Sequence, residues 1–174
     1  MLRPADEPLK EALAQGREEA FAALYDRFAP ALFRVAVSLT GSPVDAEDAV
    51  QEVFVGVVRA RAHMRNVEDL RAYLFAALRR AALRLAAARR ERSLTPEEAQ
   101  RLSAPRTKGP DGEQALCLER ALQKLPAEQR EVVALKVDGG LTFAEIAVVL
   151  GISPNTAASR YRYALEKLRA ALEA

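Results

Sequence analysis

Residues 141–172 read LTFAEIAVVLGISPNTAASRYRYALEKLRAAL, and no other stretch of the chain leaves so little freedom in how it can fold. Thr142 and Glu145 form a T-x-x-E capping box, a pair that satisfies two otherwise unpaired N–H groups as a helix begins. Ile146, Ala147 and Leu150 follow on one apolar face. Gly151 then falls where a helix end commonly takes positive φ. Ser153-Pro154 restarts the helix with an N-cap and a proline at the first helical position. In the second helix Ala157, Tyr161, Ala164, Leu165, Leu168 and Leu172 recur with helical spacing. The opposite face, opening at Pro154, carries Asn155, Thr156, Ser159, Arg160 and Arg162. Short hydrogen-bonding side chains and guanidiniums near a helix N-terminus suit a DNA major groove, where base edges are exposed and phosphates flank them. An αα-hairpin with a solvated polar face is the competing reading, because helix pairs are common.

The rest of the chain keeps the same period. Leu9 to Arg92 is almost entirely helical in pattern. Phe21, Leu24, Phe28, Leu32, Val35 and Leu39 recur every three or four residues until Gly41. Ser42-Pro43 opens another helix with Ala46, Ala49, Val50, Val53, Phe54 and Val57 inward. A polar stretch, Arg61 to Asn66, breaks the pattern before Leu70, Tyr73, Leu74, Ala77, Leu78, Ala81 and Leu85 mark a long final helix. Four amphipathic helices with short connections read as a bundle. Ser93 to Glu113 loses periodicity and collects Pro96, Pro105, Gly109, Pro110 and Gly112, the composition of a flexible linker, with a short helix expected at Pro96. Helices are expected again over Gln114–Lys124 and Pro126–Val137, ahead of the helix-turn-helix. The fold expected is all-α: an N-terminal four-helix bundle, a linker, and a C-terminal four-helix domain.

Charge narrows the function classes. The formal net charge of the 174 residues is only +2, so any affinity for nucleic acid must come from local patches. Ser42 to Val58 holds four acids (Asp45, Glu47, Asp48, Glu52) and no base. Arg79 to Arg92 holds six arginines against one acid, Glu91. The single cysteine excludes a disulfide framework, and Cys117, in an apolar run, is expected to be a small core residue. The N-terminal residues show no signal-peptide pattern and no apolar run approaches membrane-spanning length, so a soluble, cytoplasmic protein of bacterial style without membrane insertion is expected. One His, no E-x-x-H pair, no Gly-rich phosphate loop and no nucleophile beside a base argue against an enzyme, a metal site or a cofactor.

Several motifs together resemble the extracytoplasmic-function (ECF) group of bacterial RNA polymerase sigma factors over nearly the whole chain. They are F21-x-x-L24-Y25, D45-A-E-D-A-V-Q-E-V-F54, L70-R-A-Y-L-F75, L125-P-A-E-Q-R-E-V133, T142-F-A-E-I-A147 and L150-G-I-S-P-N-T156. The acidic run about eighty residues upstream of L-P-A-E-Q-R is the most specific of these. The resemblance implies a region 2 domain over 1–92 that binds core polymerase and the -10 element. It implies a linker over 93–113 and a region 4 domain over 114–174 whose helix-turn-helix binds the -35 element. Core RNA polymerase is the implied partner, through the clamp coiled coil of its largest subunit and the flap of its second-largest subunit. Promoter DNA and an anti-sigma factor are implied as well.

By the same resemblance Asp48, Gln51 and Glu52 face the clamp. Asp45, Asp48 and Glu52 fall on one helical face opposite Val50, Val53 and Val57. Acids near a helix N-terminus also complement its dipole, which accounts for Asp45 and Glu47 better than for Glu52. The upstream edge of the melted DNA would meet Arg61, His63, Arg65 and Asn66 in the loop, then Arg71, Tyr73, Arg79, Arg80 and Arg84 on the helix. Cationic side chains along a helix track phosphates, and a loop can hold an extruded base. His63 is read as a polar loop residue rather than a metal ligand. The tryptophan usual in the family's W-L-Y/F element is Tyr73 here, and the frequent asparagine after the arginine of its A-R-N element is Arg80. Arg89, Arg90 and Arg92 could equally form a solvated face. The linker, at about 3.3 Å per residue, reaches about 70 Å when extended, enough for both domains to touch DNA at once. Two other classes compete: a helix-turn-helix transcriptional regulator that binds DNA without polymerase, and a protein-binding adaptor. The first usually carries an α/β receiver, which the helical period of 9–92 does not match.

Overall fold

The computed structural model of the chain describes residues 6–92 and 112–173, and every regular element among them is helical. The first half contains α1 (Glu7–Ala14), α2 (Glu18–Thr40), α3 (Pro43–Arg59) and α4 (Leu70–Arg92). The second contains α5 (Gly112–Lys124), α6 (Ala127–Val137), α7 (Phe143–Leu150) and α8 (Pro154–Leu172). The expected linker over 93–113 and the short helix at Pro96 lie outside the described residues, except that Gly112 and Glu113 already belong to α5.

Local chemistry sets the boundaries. Helix α2 stops at Gly41, whose φ of 67° is left-handed and whose N–H donates to the Val37 carbonyl. The Ser42 hydroxyl accepts the Asp45 N–H at 3.3 Å, and Pro43 occupies the first turn of α3. The capping box of α7 is formed in both directions: the Thr142 N–H donates to Glu145 Oε2 at 2.6 Å, and the Glu145 N–H donates to Thr142 Oγ1 at 3.2 Å. Gly151 closes α7 with φ 67°, and Ser153 accepts the Thr156 N–H at 3.0 Å to open α8. The Arg61–Asn66 stretch, expected as a loop, is a 3-10 turn instead. Backbone bonds tie it to its flanks: the His63 N–H donates to the Ala60 carbonyl and the Val67 N–H to that of Met64. The Asp69 carboxylate then accepts the Ala72 N–H at 2.9 Å and starts α4.

In the first half Leu13, Leu24, Phe28, Leu32, Val35, Val53, Met64, Leu70, Leu74, Phe75 and Leu78 are buried together. This core does not end at the half's boundary. Val132, Leu135, Leu141, Ile146 and Val149 of the second half continue the same cluster. A smaller core of Ala121, Leu125, Val133, Ala164 and Leu168 is the second half's own. Two expectations are corrected here. Cys117 is exposed rather than buried, because the inward stripe of α5 meets the small core only from Ala121 onward. Leu165 and Leu172 of α8 are also exposed. The buried stripe of α8 runs through Ala157, Ala164 and Leu168, and those two leucines lie about 60–80° to its side at 100° per residue.

The contact between halves centres on the turn after α6. The Asp138 carbonyl accepts from Arg34 Nη2 at 3.3 Å and its carboxylate from Ser38 Oγ at 3.0 Å. The Gly139 carbonyl accepts from the Arg71 guanidinium. A Cβ on Gly139 would lie 2.6 Å from the Leu135 carbonyl oxygen, 2.9 Å from Leu141 Cδ1 and 3.1 Å from Phe75 Cε1. Only glycine lets the turn sit this close to α4. Gly139→Ala is therefore expected to destabilise the protein by about 1–3 kcal/mol, read from the chemical denaturation midpoint. An unchanged midpoint would show that the turn does not press on Phe75 in solution.

Candidate nucleic-acid and partner interfaces

Three surfaces gather the site residues expected from sequence. The first is the N-terminal half of α8. Capping by Ser153 and the proline at the first turn hold its start rigidly, and Pro154, Asn155 and Thr156 are exposed. Ser159 and Arg160 are half-buried and Arg162 is exposed. The Arg162 guanidinium rests 5.1 Å from the Tyr163 ring centroid. Two of these side chains are already engaged. Thr156 Oγ1 lies 2.8 Å from Ser153 Oγ, and Arg160 Nη2 pairs with Glu128 Oε2 at 2.6 Å. Sequence spacing does not reveal Glu128, which comes from the start of α6, thirty-two positions upstream.

The second surface lies along α3 and α4. Tyr73, Arg80 and Arg84 line one groove between them, together with Glu52, Val55 and Arg59. These α4 residues are spaced seven and four apart, so they share a stripe. Arg71 and Arg79 are on the other side of α4, turned to the second half. Arg79 makes a forked contact with Glu131 of α6, Nη2 to Oε2 at 3.0 Å and Nε to the same oxygen at 3.2 Å. The set read as one DNA-contacting face is thus divided by the helix. At the N-terminal approach to α4, the 3-10 turn leaves Arg61, His63, Arg65 and Asn66 exposed while Met64 is buried beneath them.

The third surface is the acidic helix α3. Its charges do not all face solvent. Asp45 pairs with Arg89 at 3.2 Å and Glu52 pairs with Arg84. The acidic and basic helices, distinct in sequence, are partly paired with each other. Asp48 and Gln51 stay exposed. Gln51 and Glu47 also border an apolar groove of about 1060 Å³ between α2 and α3, lined by Tyr25, Phe33, Phe54, Val55 and Val58. The Tyr25 and Phe54 rings meet at a tilt of 48° with their centroids 4.9 Å apart. Sequence reading assigned Phe54 to the core and missed this groove; the exposed valines at 55 and 58, off the inward stripe of α3, were the available signal.

Among the described residues no group of three or more His, Cys, Asp or Glu could hold a metal ion. None of the described helices is long and apolar enough to cross a membrane. The Arg79–Glu131 contact, with side chains 31% and 14% exposed, should show a coupling of about 1 kcal/mol in a double-mutant cycle of Arg79→Ala and Glu131→Ala. Purely additive losses would mean that the pair is not formed in solution.

Comparison with known proteins identifies the family. Residues 24–93 match the family described as Sigma-70 region 2, and residues 115–168 match Sigma-70, region 4. The ECF RNA polymerase sigma factor SigL of Mycobacterium tuberculosis is 35% identical over 159 residues, covering 87% of this chain and 88% of SigL. The RNA polymerase sigma factor CarQ of Myxococcus xanthus is 33% identical, covering 91% of this chain and 92% of CarQ. Among solved structures, CnrH in complex with the cytosolic domain of CnrY superposes with a TM-score of 0.71 at 29% identity, over 97% of each chain. The sigma factor RpoE of Bartonella quintana, in complex with the anti-sigma factor NepR, gives 0.62 at 26% identity, over 88% of this chain and 96% of RpoE. The chain belongs to the ECF RNA polymerase sigma factors.

Proposed function

We propose that this sigma factor directs core polymerase to promoters through two DNA-contacting surfaces, and that residues 1–92 and 114–174 are its two working domains. The observation that carries the reading is the exposed start of α8 on one half together with the groove of Tyr73, Arg80 and Arg84 on the other. In α8, Asn155, Thr156 and Ser159 read base edges of the -35 element. Arg160 joins them once it leaves Glu128, and Arg162 meets a phosphate. In the groove, Arg80 and Arg84 hold the backbone of the opened -10 strand beside Tyr73, with Arg61, His63, Arg65 and Asn66 at its upstream edge. Arg71 and Arg79 add to this set only when α6 and the turn at Asp138 move off α4, so their engagement of the promoter requires the halves to part.

Asp48 and Gln51, with the apolar groove beside them, supply the surface for the clamp coiled coil of core polymerase. Asp45 and Glu52 support it from their pairs with α4. The second domain reaches the flap. An anti-sigma factor is a further partner, as one similar solved structure holds one. The protein acts in the cytoplasm by binding, with no catalytic step or cofactor of its own.

A mobility-shift assay with and without core polymerase tests the reading. Specific promoter binding is expected only for the holoenzyme. Specific binding by the free chain would favour a stand-alone helix-turn-helix regulator, and no DNA binding in either state would favour an adaptor. Asp48→Lys with Gln51→Lys should weaken competition for core polymerase at least about tenfold, equivalent to about 1.4 kcal/mol, without shifting the denaturation midpoint. Wild-type competition would leave this face merely solvated. Arg80→Ala with Arg84→Ala should reduce permanganate reactivity of bubble thymines more than it reduces initial promoter binding. Unchanged thymine reactivity would remove the α3–α4 groove from the DNA path.

A further inference from the structure

We propose that α1 is a positioning element for the 61–66 turn, and that Lys10 is the residue through which it acts. Lys10 is 2% exposed, an unusual place for an ammonium group. Its Nζ donates to the Val67 carbonyl at 2.8 Å and pairs with Glu7 Oε1 at 2.7 Å. Val67 is the residue on which the 3-10 turn ends. Carbonyls at the end of a helical turn have no partner within it, and a buried one without a partner is costly. An apolar side chain at position 10 would fill the space equally well and leave that carbonyl unsatisfied. The charge is therefore tied to the shape of the turn and not to packing alone.

Other contacts from α1 converge on the same six residues. Glu11 Oε1 accepts from Arg65 Nη2 at 3.1 Å. Leu13 of α1 and Met64 of the turn are both fully buried in the same core. A Cβ built on Gly16, just past α1, would lie 3.5 Å from Arg61 Nε, so the Arg61 side chain runs along that turn. Helix α1 packs more extensively against the 3-10 turn than against α2. Through these contacts α1 and the buried Met64 fix where His63 and Asn66 are presented. Position 10 lies outside the 24–93 span matched as region 2.

The inference rests on the reading that the 61–66 turn meets opened promoter DNA. Displacing a contact by about 1 Å can cost up to about a hundredfold in rate, so loosening the turn should slow opening without weakening assembly. The test uses full-length chain in holoenzyme, with Lys10→Met to remove the donor and Lys10→Arg to restore one. Lys10→Met is expected to assemble with core polymerase and bind closed promoter normally, yet open it about tenfold more slowly. The amides of His63 and Val67 should exchange with solvent about tenfold faster in that variant, while those of α3 do not change. Lys10→Arg should recover both. If Lys10→Met does not fold, the half-exposed Glu11→Ala, which frees Arg65, should still slow opening a few-fold at unchanged stability; no slowing would then overturn the proposal. Wild-type opening by Lys10→Met, alongside slowed opening by His63→Ala with Asn66→Ala, would show that the turn is used but not positioned by α1. Normal opening by the His63 and Asn66 variant as well would remove the turn from the DNA path, and the proposal with it.

Discussion

Helix α4 is the wall on which everything else in this chain leans. Leu74, Phe75 and Leu78 bury themselves in the first-half core. Tyr73, Arg80 and Arg84 line a groove on one side, while Arg71 and Arg79 are held by the second half on the other. One helix is thus core, groove wall and docking surface at once. Phe75 makes the link directly: it is fully buried, and it is also the side chain against which the Gly139 turn closes. Apolar burial between the halves stabilises the docked arrangement by an area-dependent amount. The polar contacts around it, with Asp138 bonded to both Arg34 and Ser38, fix its register more than its strength.

A near-neutral chain that binds DNA has to keep its cations from being neutralised by its own acids. This one does so only in part. Asp45 and Glu52 of α3 pair with Arg89 and Arg84 of α4, and Glu131 and Glu128 of α6 pair with Arg79 and Arg160. Most of these pairs involve at least one side chain with substantial solvent access, so each costs little to break. They lower the positive potential of the free chain. A polyanion with closely spaced phosphates can compete for the same guanidiniums, and polymerase can compete for the same carboxylates. Near-neutral net charge and DNA binding are compatible on these terms.

Features fixed by neighbours in sequence were legible from it. The capping box at Thr142 and Glu145, the Ser153-Pro154 restart and the Gly41-Ser42-Pro43 junction all form as read, since their partners lie within four residues. The all-helical class and the family followed from period and motif. Contacts between distant positions were not legible. Arg34 and Asp138 are 104 positions apart, and helical period says which face is apolar but not what covers it. That is why Arg71 and Arg79 were grouped with Arg80 and Arg84 although α4 turns them in different directions. It is also why Cys117, apolar in context, is exposed. Lys10 carried no signal at all, because a lysine in an amphipathic helix ordinarily reads as solvated.

The second half, docked on α4 in the free chain, must leave it at the promoter if Arg71 and Arg79 are to meet DNA. Spin labels at Val44→Cys on α3 and Glu166→Cys on α8, in a Cys117→Ser background, place one probe on an exposed position of each half. Pulsed electron resonance should give one narrow distance distribution for the free protein and a clearly longer one for the promoter-bound holoenzyme. The same narrow distribution in both states would contradict the account, since Arg71 and Arg79 could then never exchange Gly139 and Glu131 for DNA.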